Sequence, residues 1–329
     1  MSLKKINISL IIKFSSLFIL FMSFGAQADK VVISNEGSDN ITIIDLNSYE
    51  ILNTIDSGSR PRDMHYIPET ESLLVAASED DTINVIDMKT LQIVGNLETG
   101  DDPEIFDISP DGKVAVVSNE DDNEATVIDI KSGKIIRVIE DVGIEPEGVN
   151  FSPDGKLVFI TSEGTNTIII IDPWMGEIVE EVLVGNRPRR GAFSKNGREY
   201  WVTNELGGTV SIIDTKTFSI KHTITFEKKG IRSSEITPVD FAMSHKANLA
   251  YITLGRSKHV AVVNTDNYEV IDYILAGSRV WGAALTSDDK TLIVTNGQSD
   301  DISIIDTDKR ASIKSIAVGR TPHTVRIID

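Results

Sequence analysis

Arginine residues recur in short segments around a proline, and the densest of these segments is Gly185-Asn186-Arg187-Pro188-Arg189-Arg190. A guanidinium group binds a carboxylate through two parallel hydrogen bonds, so these side chains suit an anionic small molecule or an acidic partner loop. An indole ring beside them offers a flat apolar surface. The candidate binding residues of all such segments are Arg60, Arg62, Glu104, Glu147, Arg187, Arg189, Arg190, Arg279, Trp281, Arg320 and His323.

This local positive charge contrasts with the whole chain, which has 32 Lys and Arg residues against 50 Asp and Glu residues. A protein with a net charge of −18 repels nucleic acid phosphates, so we predict no nucleic-acid function. A cationic partner or metal ions are compatible with the charge. The chain has no cysteine, which excludes disulfides, thiolate metal sites, thiol nucleophiles and a cysteine-linked lipid anchor.

Seven repeats must position the candidate residues. A segment that ends in Ile-Ile-Asp or a close variant returns at spacings of 42, 42, 43, 42, 50 and 42 residues. Its last residues are Asp45, Asp87, Asp129, Asp172, Asp214, Asn264 and Asp306. Each unit contains four short β-branched runs separated by turn residues and shows no helical periodicity. These features predict an all-β fold, a seven-bladed β-propeller of four-stranded blades.

The two ends of the chain predict how the propeller closes. Residue 31 begins at the second strand of a unit, and the C-terminal sequence GRTPHTVRIID matches the start of a unit and then stops. We expect a C-terminal strand at about His323–Ile328 to complete the first blade beside Val31–Ser34. This join leaves no unpaired strand edge at the seam of the ring.

The segments that carry the candidate residues precede the first strand of each blade, which lines the central channel. We expect these entry loops to open on one face, together with the loops that join second and third strands. Six of the seven entry loops contain a proline, which sets φ before the inner strand and needs no partner for an N–H. The prediction therefore places Pro188 and its arginines at the channel mouth on blade four, beside two blades that contribute acids there.

Two interpretations of the mouth stay open. The arginines and Trp281 can form a pocket for an anionic small molecule or a docking patch for a partner loop. Alternatively, Arg and Glu side chains pair across blades and only hold the mouth closed, as ion pairs in repeat proteins often do.

Two other sets of residues are given structural roles. The acidic loops Glu79–Asp81, Glu120–Glu124 and Ser299–Asp301 offer the oxygen ligands that Ca²⁺ prefers, but none has EF-hand spacing, so no metal site is predicted. The recurring terminal Asp is expected to accept backbone N–H groups in the next turn rather than to act in catalysis. We predict no catalytic residue and no cofactor.

The N-terminus has the three parts of a secretory signal peptide. Lys4 and Lys5 precede the apolar stretch Phe14–Phe24, and Ala26-Gln27-Ala28 has the pattern of a cleavage site. Lys13 interrupts an apolar stretch that would otherwise suit an uncleaved anchor. We therefore predict a signal peptide at residues 1–28 and an exported, periplasmic propeller at 29–329, with an extracellular location as the alternative. No stable membrane insertion is expected after cleavage.

Several ordered motifs resemble a known family. "YWVTN" and "LIVTN", each followed by "IID", are similar to the YVTN-type propeller repeat. "DDPEIFDISPDG", "VGIEPEG", "LGGTVSIIDTKT", "RVWGAALT" and "VGRTPH" resemble the PQQ-dependent catabolism-associated β-propeller proteins, which are periplasmic seven-repeat proteins. This resemblance implies an accessory role near a quinoprotein dehydrogenase, a cytochrome or a transport component. It brings no established catalytic residues.

The leading hypothesis is a non-enzymatic binding protein linked to quinoprotein alcohol catabolism, with its site at the channel mouth. One alternative is a lactonase-type hydrolase that recruits His323, Glu147 and the arginines. The other is a surface or adhesive protein in which the propeller is a display platform.

Overall fold

Seven four-stranded antiparallel sheets make up the computed structural model, which describes residues 30–328. Blade 1 consists of β28 (Pro322–Ile328), β1 (Lys30–Asn35), β2 (Asn40–Asp45) and β3 (Ile51–Asp56). Blade 2 has β4 (Pro61–Ile67), β5 (Ser72–Ala77), β6 (Thr82–Asp87) and β7 (Gln92–Glu98). Blade 3 has β8 (Pro103–Ile108), β9 (Val114–Asn119), β10 (Glu124–Asp129) and β11 (Lys134–Ile139). Blade 4 has β12 (Pro146–Phe151), β13 (Val158–Ser162), β14 (Thr167–Asp172) and β15 (Glu177–Leu183).

The remaining three blades repeat this order. Blade 5 has β16 (Pro188–Phe193), β17 (Glu199–Asn204), β18 (Thr209–Asp214) and β19 (Ser219–Thr225). Blade 6 has β20 (Phe241–Met243), β21 (Leu249–Thr253), β22 (His259–Asn264) and β23 (Val270–Leu275). Blade 7 has β24 (Val280–Leu285), β25 (Thr291–Asn296), β26 (Asp301–Asp306) and β27 (Ala311–Ala317). Short 3₁₀ turns lie at Glu36–Ser38, Ser78–Asp80 and Ser233–Glu235.

The predicted closure is confirmed. Strand β28 pairs antiparallel with β1, with Val31 opposite Ile327 and Ile33 opposite Val325. Because β28 is the inner strand of blade 1, the strand that starts at Pro188 is the inner strand of blade 5. The sequence analysis placed this strand on blade four, which is wrong by one blade. The predicted signal peptide lies outside the described residues. Within residues 30–328 no helix has the length and apolarity needed to cross a membrane.

A repeated hydroxyl group ties neighbouring inner strands together. The N–H of Gly148 donates to Thr161 Oγ1 at 2.6 Å, and Thr161 Oγ1 donates to the carbonyl of Arg189 in the next blade at 2.6 Å. The equivalent hydroxyls belong to Ser34, Ser118, Thr203, Thr253 and Thr295. Blade 2 has Ala76 at this position, so it lacks the hydroxyl link to blade 3. The Thr or Ser of the YVTN-like repeat is therefore a structural residue.

The terminal Asp of each repeat has the predicted structural role. Asp214 Oδ1 accepts the N–H groups of Lys216 and Thr217 at 2.9 Å each. Asp45, Asp87 and Asp172 make the same pair of bonds, and Asn264 replaces the carboxylate in blade 6. These side chains are occupied by the turn between third and fourth strands, so they are not free for catalysis.

Candidate functional site

Entry loops and the loops between second and third strands meet on one face of the propeller, as predicted. At five of the six entry-loop prolines the preceding residue has positive φ, for example 51° at Arg60 and 57° at Arg187. Its N–H donates to a side chain of the preceding blade: Arg60 N–H to Asp39 Oδ1 and Arg187 N–H to Asn166 Oδ1, both at 2.9 Å. The acidic and amide loop residues thus hold each entry loop in place.

A β-bulge in the inner strands increases the number of side chains that reach the mouth. In blade 5 the register shifts between Pro188 and Gly191, so one extra residue is inserted against the second strand. As a result, Arg189 and Arg190 both approach Glu147, with nitrogen–oxygen distances of 3.1 and 3.7 Å. The same shift follows Pro61, Pro103 and Pro146.

The arginines of blade 5 are paired with glutamates from three other loops. Arg189 is buried and contacts Glu147 at 3.1 Å and Glu163 at hydrogen-bond distance. Arg187 is partly exposed, and its Nε lies 2.6 Å from Glu163 and 3.6 Å from Glu205. The glutamates therefore compensate the positive charges of Arg187 and Arg189 within the protein.

Blade 2 contributes a second paired group. Arg62 is buried and contacts Glu36 at 3.1 Å, Glu147 at 3.8 Å and the carboxylate of Glu104 directly. Arg60 lies 3.3 Å from Glu36, 3.1 Å from Asp102 and 3.4 Å from Glu104. The two groups meet at Glu147, so one continuous ion-pair network closes the mouth on blades 1–5.

Sequence reasoning missed three glutamates that pair with arginines at the mouth, Glu36, Glu163 and Glu205. Together with Glu120, which the sequence analysis named only as part of an acidic loop, each follows the second strand of its unit directly. They occur in the segments "SNEG", "SNED", "TSEG" and "TNEL", so the recurrence was a signal that could have been used. Four glutamates at one repeat position on one face predict a ring of carboxylates around the channel.

Burial and neighbouring charges shift the pKa values of two carboxyl groups of the network in opposite directions. Burial raises the pKa of Glu104 well above its usual range, against the effect of Arg62, and Glu147 and Glu120 raise it further. Burial would also raise the pKa of Glu147, but Arg189, Arg62 and Arg190 lower it overall. The network of arginines therefore favours the charged form of Glu147, whereas burial favours the protonated form of Glu104 and Arg62 opposes it.

Trp281, Arg279 and His323 form the other side of the mouth. Arg279 lies over the Trp281 ring at 5.0 Å and contacts Glu205 at 2.8 Å. Burial, together with Arg189 and Arg256, lowers the pKa of Arg279 despite Glu205. His323 is fully buried, its ring lies 4.9 Å from Trp281, and burial lowers its pKa well below the usual value. His323 is therefore a neutral, enclosed imidazole rather than an exposed base.

Arg320 is the member of the candidate set that stays apart from the network. Its side chain is exposed and has no carboxylate within 4.0 Å among residues 30–328. Its backbone N–H donates to Ser38 Oγ at 3.0 Å. The structure thus brings together ten of the eleven candidates and leaves Arg320 on the rim.

Exposed carboxylates cover the same face over blades 2 and 3. We call Asp81, Asp101, Asp121 and Asp122 the acidic patch; all four are exposed, and none has a cation within 4.0 Å in the described part of the chain. Repulsion from Asp122, Asp81 and Asp121 raises the pKa of Asp101. The patch is therefore a region of negative charge that the protein itself does not compensate.

Carboxylates also approach one another inside the mouth. Oxygens of Asp102, Glu104 and Glu120 lie within 4.8 Å of one another, and so do those of Glu120, Glu145 and Glu163. A hard cation would accept such ligands. However, Arg60 and Arg187 already contact members of these groups, so the arrangement is explained by ion pairing.

A polar chamber of about 170 Å³ lies in the channel below the mouth. Its walls include Asp63, Asp107, Asp240 and Arg190. These aspartates also bridge inner strands; Asp107 Oδ2, for instance, accepts the N–H of Phe151 in blade 4 at 2.7 Å. The chamber was not predicted, because the sequence analysis did not assign Asp63, Asp107 or Asp240, which lie two or four positions after the proline, to the channel.

Comparison with known proteins supports the fold. Residues 23–154 match the family model of the YNCE-like β-propeller, and residues 113–239 match that of the cytochrome D1 heme domain. No curated protein sequence matches the chain.

Three similar solved structures have a TM-score of 0.77 each. Hydrazine synthase of Kuenenia stuttgartiensis is 21% identical, and the match covers 84% of this chain and 92% of that one. A putative 6-phosphogluconolactonase from Bacteroides fragilis is 19% identical, with 93% and 99% covered. The periplasmic gluconolactonase of Pseudomonas aeruginosa is 16% identical, with 92% and 99% covered.

At these identities the likeness concerns the fold and carries no activity. The resemblance to the PQQ-associated subgroup stays a prediction. The chain is a seven-bladed β-propeller whose residues 23–154 match the YNCE-like propeller family model.

Proposed function

We propose that the protein is a binding protein that docks a cationic partner protein on the acidic patch beside its channel mouth. The single observation that carries this proposal is the uncompensated charge of Asp81, Asp101, Asp121 and Asp122 on one face. Such a charge pattern accelerates association with a basic surface and selects against acidic ones.

The mouth favours a partner protein over an anionic small molecule. Arg62 and Arg189 are buried and already paired with Glu104, Glu147 and Glu163. An anion would have to displace these carboxylates, which the buried arginines need. A protein partner can instead bind across the outer surface of the loops, where the acidic patch is exposed.

The class of partner follows from the sequence resemblance. We propose a periplasmic partner of quinoprotein alcohol oxidation, either the dehydrogenase or a cytochrome that presents lysines. Residues 1–28, interpreted as a signal peptide, support export to that compartment.

Surface plasmon resonance with purified candidate partners tests the proposal. The double variant Asp101→Asn/Asp121→Asn removes two charges whose carboxylates hold no loop, since neither side chain accepts a hydrogen bond within residues 30–328. We expect slower association, weaker binding and a smaller salt dependence.

Glu180→Gln/Glu181→Gln is the matched control, because it removes two exposed charges from the outer strand of blade 4. It should bind like the wild type. Equal losses in both variants, or no loss in the first, would contradict docking at the acidic patch.

A lactonase is the second candidate, because two similar solved propellers carry lactonase names. Its expected residues are enclosed: His323 is fully buried, and Glu147 is buried between arginines. Turnover of a sugar lactone by the purified protein, abolished in His323→Ala, would establish the lactonase and displace the binding role.

A further inference from the structure

A deep groove separates blades 2 and 3 on the face opposite the mouth. It encloses about 920 Å³, within the range of small-molecule sites. Its walls include Ile67, Leu74, Val85, Leu97, Ile108 and Ile130. Four of these apolar side chains are only partly buried, namely Ile67, Val85, Ile108 and Ile130. We call this region the inter-blade groove.

Two glycines border the inter-blade groove: Gly95 pairs with the wall residue Val85, and Gly133 lies beside the wall residue Leu97. Between blades 5 and 6, the same space is filled by His222, which stacks on Tyr268 at 4.8 Å, and by Trp201. His222 of blade 5 and Gly95 of blade 2 occupy equivalent positions in the fourth strand. Tyr268 of blade 6 and Gly133 of blade 3 occupy equivalent positions in the turn before the fourth strand. Both large side chains are therefore absent between blades 2 and 3.

The inner end of the groove is polar. His65 and Asp107 line both the groove and the channel chamber, so they stand where the two spaces meet. The ring of His65 packs on Phe106 at 4.7 Å, and its Nε2 lies 3.4 Å from Asp63 Oδ2. Asp63 is in turn paired with Arg326 at 2.6 Å. An apolar cleft that ends in charged groups suits an amphiphilic molecule.

Asp107 differs from Asp63 in having no cationic partner. No Lys or Arg of residues 30–328 lies within 4.0 Å of its oxygens, whereas Asp63 has Arg326. Each oxygen of Asp107 accepts one backbone N–H, from Ile108 at 2.8 Å and from Phe151 at 2.7 Å. A carboxylate can accept about four hydrogen bonds, so capacity remains for a donor in the groove.

We propose that the inter-blade groove binds a small molecule with an apolar body and a protonated amino group that donates to Asp107. The body lies between Val85, Leu97 and Ile108, beside Gly95 and Gly133. Burial raises the pKa of Asp107, and nearby Asp63 adds to this effect, so a cationic head would stabilise its charged form.

Calorimetric titration of the purified protein with three probes of one shape tests the proposal. The probes are 2-phenylethylamine, the neutral 2-phenylethanol and the anionic phenylacetate. A charge-assisted hydrogen bond exceeds a neutral one by about 1.4 kcal/mol, so the amine should bind about tenfold more tightly than the alcohol. Phenylacetate should bind more weakly than both.

Two variants locate the site. Gly95→Leu places a large side chain beside the wall residue Val85, and it should fold normally because no atom lies within 4 Å of the added Cβ and the position has no positive φ. It should weaken binding of the amine and of the alcohol by at least about tenfold, since it removes the space for the shared body. Asp107→Asn should weaken the amine alone, to the affinity of the alcohol.

Asp101→Asn, in the acidic patch, is the control for amine bound to the mouth and should leave the titration unchanged. The proposal is overturned by equal affinities for amine and alcohol, by unchanged amine binding in Gly95→Leu, or by no binding of the amine.

Discussion

Replacing Arg189 distinguishes a ligand site at the mouth from an internal ion-pair network. Its side chain is 6% exposed and faces Glu147, Glu163 and Glu205. Replacing it with Met keeps a long apolar side chain but removes the buried cation that Glu147 and Glu163 share, leaving Glu147 with more distant arginines at 3.7 and 3.8 Å. Breaking a buried ion pair in this way costs about 3–5 kcal/mol.

The loss should be visible as a lower melting temperature. With about 2.1 cal/mol/K of unfolding entropy per residue, a propeller of roughly 300 residues loses about 5–8 °C for that free energy. Differential scanning calorimetry of Arg189→Met measures it directly. Arg320→Met is the matched control, since Arg320 is exposed and unpaired in the described chain, and it should change stability by less than about 0.5 kcal/mol.

The loss of stability in Arg189→Met should also depend on pH. Arg189 helps to lower the pKa of Glu147, so the stability from a charged Glu147 is present above its unfolded pKa of about 4.3 and is lost as pH falls through the folded value. The difference between Arg189→Met and the wild type should therefore be large at neutral pH and shrink as the pH falls below about 4.3. Unchanged melting with loss of partner binding would refute the network interpretation and restore a binding role for Arg189.

Three further predictions concern the network, the blade links and metal binding. Because burial raises the pKa of Glu104, the stability from its protonated form is present below the unfolded pKa of about 4.3 and is lost as pH rises towards the folded value; Glu104→Gln should thus become more stable relative to the wild type as pH rises above about 4.3, and a free-energy difference in chemical denaturation that does not change with pH would contradict it. Thr161→Val should cost about 2–4 kcal/mol, because it leaves Gly148 N–H and the Arg189 carbonyl unpaired, and a Tm within 1–2 °C of wild type would count against the hydroxyl link. Calcium should leave the melting temperature unchanged, since Arg60 and Arg187 already pair with the clustered carboxylates; a rise that Glu120→Gln removes would instead reveal a metal site.

The architecture was predictable because its determinants are local and repeated. Period-2 strand patterns, turn residues and the 42-residue spacing recur along the chain, so each unit predicts the same four strands. The closure by residues 323–328 followed from an incomplete first unit and a surplus first strand at the end. The turn role of Asp214 and its equivalents was predictable for the same reason, since the carboxylate binds backbone only two and three residues away.

The candidate site was only partly predictable. The convergence of Arg62, Glu147 and Arg189 at the mouth follows from the propeller and the position of the prolines. Their partners do not, because Arg187 meets Glu163 across 24 residues and Arg279 meets Glu205 across 74 residues. Sequence reasoning left binding and pairing as equal alternatives, and the described contacts favour pairing for the buried arginines.

The number of blades, the strand order, the closure and the positions of the entry loops could be read from the amino-acid sequence, since they depend on a short-range pattern repeated seven times. Only the tertiary structure decided which charges compensate one another and where space remains. Charge compensation and free volume depend on side chains from different blades, such as Arg189 with Glu163 or Gly95 with Gly133. No local pattern contains that information, because adjacent blades meet only when the ring is closed.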